Sequence, residues 1–154
     1  MQREATGRGK CLRHKDTQAI QKTAIGLGGA WNANDMDAYA SYLTEDCGWV
    51  NIVGMHWCGK AAVMKAHTVY LSTMFLGVQQ EILESEISEI ASDVALVVLT
   101  IRMGEFTTPD GRLEKDMQDR MTFVMVKQPN ERWLIRAAHN TTIHPLAAKH
   151  DPTK

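Results

Sequence analysis

VALVVLTIRMGEF (94–106), MQDRMTFVMVK (117–127) and RWLIRAAHNTTI (132–143) decide the fold. All three runs are rich in β-branched and aromatic residues, as strands are. Thr108-Pro109-Asp110-Gly111 separates the first two and Gln128-Pro129-Asn130-Glu131 the last two. Both are turn sequences, so the three runs read as an antiparallel meander. Val78–Ile90 alternates ahead of them, and Ser92-Asp93 turns it into the next run, which makes four strands.

Upstream the pattern is helical. From Asp16 to Trp31, the residues Ala19, Ile20, Thr23, Ala24, Leu27, Ala30 and Trp31 recur every three or four positions. Asp16 or Thr17 can cap that helix. Gly26, Gly28 and Gly29 weaken its last turns and mark close packing against a neighbour. Asp35 caps a second, short helix carrying Met36, Tyr39, Ala40 and Leu43, ended by Thr44-Glu45-Asp46. Trp49–Val53 and Met55–Cys58 form a hairpin around Gly54. A third helix runs from Gly59 to about Phe75, with Ala62, Val63, Ala66, Val69, Tyr70 and Phe75 on its apolar stripe. Helices grouped before a meander give an α+β domain: three helices cover one face of a curved antiparallel sheet and leave a conical apolar pocket.

The chain has 154 residues, enough for one domain and one core. The expected organisation is a flexible basic tail over 1–15, the domain over 16–146 and a polar tail over 147–154. A net charge of −1 offers no general attraction for nucleic acid or acidic membranes. No apolar run reaches the roughly 18 residues of a membrane span. Cys11, Cys47 and Cys58 are odd in number and lack metal-ligand spacing, which fits a reducing cytoplasm. The histidines show no metal signature, so no metal and no cofactor is expected.

Ala30-Trp31-Asn32-Ala33-Asn34-Asp35, Trp49-Val50-Asn51, Gly59-Lys60, His67 and the closing Trp133–Thr141 stretch together resemble the SgcJ/EcaC family. That family lies in the nuclear transport factor 2-like (SnoaL-like, cystatin-like) superfamily, and the resemblance spans roughly residues 17 to 145. It implies a homodimer built on the outer face of the sheet and a pocket between sheet and helices. It implies no particular activity, because fold does not decide function.

Strand alternation proposes the pocket residues. Trp133, Ile135, Ala137, His139 and Thr141 share one face of the last strand, and if the bulky set faces the helices, His139 enters the pocket. Which face lines the pocket stays open, so Asn140 is carried as a binding candidate too. The preceding strand offers Asp119 with Met117, Met121 and Phe123, or Arg120 with Thr122 and Val124. Trp49 and Asn51 share a face; His67 and Tyr70 share a helix stripe with Val63. Trp31, Trp49, Asn51, Tyr70, Met74, Met121, Phe123 and Asn140 are the expected binding residues. His67, His139 and Asp119 are the expected proton-transfer groups, since histidine titrates near neutrality and a carboxylate can act as base. The competing assignment makes both histidines structural.

Two functions are consistent with these residues. One is a cofactor-independent isomerase, dehydratase or cyclase acting on a hydrophobic or polyketide-like molecule. The other is a non-catalytic dimer that binds a ligand or serves assembly.

Overall fold

The computed structural model describes residues 12–154. The expected tail therefore lies mostly outside the described residues, as does Cys11. Helix α1 (His14–Asn32) has Arg13 at its N-cap, three residues before Asp16 and four before Thr17, and no side-chain cap. Asp16 caps nothing. It turns toward the sheet, accepting from Trp133 Nε1 at 3.2 Å and pairing with Lys127 Nζ at 2.8 Å. The Lys127 hydrogen bond, working against burial, holds its carboxyl below the usual range.

A depressed carboxyl stabilises the fold above its unfolded pKa and loses that effect as pH falls through the folded one. Asp16→Asn is therefore expected to cost about 1–3 kcal/mol at neutral pH. The gap to wild type should begin to close below roughly pH 4 and narrow further as pH falls through the lower folded pKa. Urea denaturation at the two acidities measures both.

The α1 stripe (Ile20, Thr23, Ala24, Leu27, Ala30, Trp31) is buried against the sheet. Of its three glycines only Gly26 shows the expected close approach: a Cβ there would overlap the Tyr42 hydroxyl. Helix α2 (Met36–Ala40) is capped by Asp35, whose Oδ1 accepts from the Ala38 amide at 2.9 Å. It is shorter than expected. Leu43 and Thr44-Glu45-Asp46 belong to strand β1 (Leu43–Val50), which runs parallel to the last strand. Tertiary pairing overrides the local helical pattern here. Strand β2 (His56–Cys58) forms the expected hairpin with β1. Helix α3 (Lys60–Ser72) follows Gly59, whose φ of 86° favours glycine, and it buries Val63, His67 and Leu71.

Strands β3 (Gln80–Ala91) and β4 (Val94–Met103) pair antiparallel. The run expected to continue to Phe106 breaks at Met103. Phe106–Thr107 (β5) instead pairs with Leu113–Glu114 (β6) in a separate ribbon around the Pro109 turn. Strands β7 (Gln118–Lys127) and β8 (Trp133–Thr142) complete one six-stranded sheet in the order β2-β1-β8-β7-β4-β3. The hairpin and the meander are thus one sheet, joined where β1 meets β8. A short helix, α4 (Pro145–Ala148), straddles the boundary expected between the domain and the polar tail. Among the described residues, no helix is long and apolar enough to cross a membrane.

One irregularity decides which side chains face inward. Met125 pairs with Ile135, but Val124 pairs with Ala137, so Arg136 is an extra residue on β8. Such a bulge shifts the alternation by one from that point on. Trp133 and Ile135 are buried as expected, but Ala138, Asn140 and Thr142 then take the inner face. His139 is exposed on the outer side. The expectation that Ala137, His139 and Thr141 face the helices is therefore corrected.

Candidate functional site

The concave face of the sheet and helices α1–α3 enclose a cavity of about 870 Å³. This is the size of a small-molecule site. Trp31 of α1, His67 and Tyr70 of α3, Met74 beyond it, and Trp49 and Asn51 of the β1 end all line it. So do Asp119, Met121 and Phe123 of β7 and Asn140 of β8. His139 does not. For β7 the structure selects the Asp119 face over the Arg120 face.

Several wall residues were not singled out for this role. Tyr39 falls on the α2 stripe by sequence pattern, and the structure buries it against the cavity. Trp57 lies between His56 and Cys58 in a strand too short for alternation to be read. Phe106 reaches the wall through the β5–β6 ribbon, which local sequence does not announce. Thr142 arrives there through the bulge.

The polar groups differ in what they are free to do. Asn51 Oδ1 accepts from the amides of Val53 and Met55 at 3.1 and 2.8 Å, so that oxygen is committed to building the loop. The Tyr70 hydroxyl donates to Met55 Sδ at 3.5 Å. Asp119 is different. Its side chain is 6% exposed and its Oδ1 is buried with no hydrogen-bond partner. Burial pushes its pKa up to about 6, while the cross-strand Thr142 hydroxyl works the other way. Asn140 Oδ1 is also buried and unpaired. Asn140 lies opposite Met121, and Thr142 opposite Asp119, so the two oxygens sit on neighbouring strands of one wall. At such diagonal positions Cβ atoms lie roughly 7–8 Å apart or less.

His67 is almost fully buried at the centre of an aromatic cluster. Burial lowers its pKa to about 4, against the hydrogen bond to the Val63 carbonyl, so it is neutral at neutral pH. The Cys47 thiol is pushed up to about 11 by burial, the opposite of what a nucleophile needs. Cys58 and His56 are exposed on β2, with Sγ 3.6 Å from Nε2. Among the described residues, no group of three or more His, Cys, Asp or Glu side chains comes together in a way that could hold a metal ion.

Residues 27–142 match the SnoaL-like domain family. An uncharacterised protein with a cystatin-like fold from Caulobacter vibrioides is 37% identical, with 90% of this chain and 97% of that one covered at a TM-score of 0.85. A ketosteroid isomerase-like protein from Erwinia carotovora atroseptica is 19% identical, covering 86% of this chain and all of that one (100%) at 0.72. A protein provisionally described as a scytalone dehydratase, from Novosphingobium aromaticivorans, is 17% identical, covering 84% and 85% at 0.70. At those identities the last two show the fold alone. No curated protein matches the chain in sequence.

Proposed function

Because the chain belongs to the SnoaL-like domain family, we propose that its cavity serves a cofactor-independent isomerase, dehydratase or cyclase with Asp119 as the proton-transfer group. The observation that carries this reading is the Asp119 carboxyl: buried, with Oδ1 lacking a hydrogen-bond partner, and set in the wall of an apolar cavity. A raised carboxyl pKa brings a weak base close to the pH at which it must give and take protons. The Asn140 side chain lines the same wall on the neighbouring strand. The similarity to the isomerase-like and dehydratase-like structures is consistent with this chemistry.

The proposal includes two finer points. The Trp31-Asn32 and Trp133–Thr141 segments support placement in the SgcJ/EcaC branch. The outer sheet face supports a homodimer: Leu96, Val98, Val124, Val126 and Leu134 are half-buried there, with Arg102, Arg120 and Arg136 exposed around them. Apolar groups rimmed by charge suit an interface between copies.

The reaction class is tested with 5-nitrobenzisoxazole, an apolar carbon acid. The base takes the ring C–H proton, the N–O bond breaks, and a nitrile and a coloured phenolate form. Saturable turnover well above that of acetate buffer is expected. The absence of acceleration would overturn the acid–base reading. Thermal stabilisation by the probe without product would then favour the non-catalytic binding reading.

A further inference from the structure

The Asp119 chemistry leaves His67 unused, yet the fold takes unusual care of it. Nδ1 lies 2.9 Å from the Val63 carbonyl oxygen. A carbonyl only accepts, so Nδ1 must carry the proton and donate. Nε2 is then a lone-pair acceptor. It has no partner among the described residues and is not among the buried unpaired atoms, so it opens on the cavity that His67 lines.

The ring cannot swing away from this role. Trp49, Tyr39, Trp57 and Trp31 surround it, with centroids at 4.7, 5.0, 5.7 and 6.3 Å. The same packing disfavours imidazolium, since desolvation penalises the charged form. The group presented to a ligand is thus a fixed, neutral acceptor in apolar surroundings. A carboxylate would meet a lone pair there and lose its hydration, whereas a hydroxyl would find the one thing it needs.

We propose that His67 Nε2 is the specificity-determining acceptor of the cavity, selecting neutral ligands that carry a hydroxyl and rejecting anions. The position also constrains ligand length. His67 packs on Trp49, which packs on Phe123 at a centroid distance of 6.0 Å. Asp119 is four residues from Phe123 along the same strand face, a rise of roughly 14 Å between those two backbone positions. A ligand held at His67 and reacting at Asp119 is therefore elongated, with its hydroxyl remote from the reacting carbon. This deepens the acid–base reading and rests on it only for where reaction occurs.

The test compares 2-naphthol, 2-methoxynaphthalene and 2-naphthoate for binding at neutral pH, by tryptophan fluorescence, with wild type, His67→Phe and Asp119→Asn. Wild type should prefer 2-naphthol over its methyl ether by about five- to tenfold, the worth of one hydrogen bond. Naphthoate should bind most weakly. The preference should vanish in His67→Phe and persist in Asp119→Asn. Equal binding of the three probes, or a preference lost in Asp119→Asn but kept in His67→Phe, would overturn the assignment. Should His67→Phe fail to fold, the ¹⁵N shift of His67 Nε2 in wild type decides: it moves with 2-naphthol and not with the ether, or the assignment falls. None of these readouts involves turnover, so their failure is distinct from failure of the acid–base reading.

Discussion

Asp119→Asn is expected to remove proton abstraction and, at the same time, to stabilise the protein above pH 6. Loss of a positioned base costs about 10²- to 10⁴-fold in rate. The stability effect has the opposite sign from most buried substitutions. The folded pKa of about 6 lies above the roughly 3.9 of an unfolded aspartate, so the native state holds the proton more tightly. Wild-type stability therefore falls as pH rises between those values, and the penalty is complete above the folded pKa. Asparagine has nearly the same shape and no charge to desolvate. The variant should gain about 1–2 kcal/mol at mildly alkaline pH, after discounting for water in the cavity, and nothing near pH 4. Urea midpoints at the two pH values read the difference. A variant less stable than wild type at both would mean the carboxylate is favourably bound in the fold and is not held there under strain.

Trp133→Ala is expected to be the most destabilising substitution considered. The side chain is fully buried beneath α1, and its Nε1 donates to Asp16. Truncating a buried tryptophan costs about 3–5 kcal/mol. Removing the donor leaves the Asp16 carboxylate with Lys127 and Arg13 as its charged partners. Against a typical total of about 5–15 kcal/mol, this takes away much of the stability. Trp133→Phe keeps most of the apolar contact and should cost only about 1–2 kcal/mol, the share of the hydrogen bond. The Thr23 hydroxyl bonds the Trp133 carbonyl and survives both changes. Equilibrium unfolding separates the two variants; equal losses would mean that packing contributes little.

These two residues show what sequence can carry. Trp133, Ile135, Met121 and Phe123 were readable because strand alternation is a local rule, and they are buried inward. The order of helices and strands followed from periodicity and from the Pro109 and Pro129 turns. His139 was misplaced because one inserted residue, Arg136, inverts the rule. A bulge depends on the partner strand, and β8 alone does not encode it. The start of β1 was read as helix for a similar reason, since its parallel neighbour lies some ninety residues later in the chain. The aromatic cluster around His67 draws on α1, α2, α3, β1 and β2, so no local pattern contains it. That Asp119 lacks a hydrogen-bond partner for Oδ1 is likewise a property of the packed cavity.

The carboxyl of Asp119 is where the whole account can be tested in one measurement. In protein carrying ¹³C-labelled aspartate, the Asp119 carboxyl resonance is identified by its absence from Asp119→Asn and followed against pH. A midpoint of about 6 is the predicted result. A midpoint near the ordinary aspartate value of about 3.9 would contradict it, showing a solvated carboxylate in place of one held desolvated in the cavity wall.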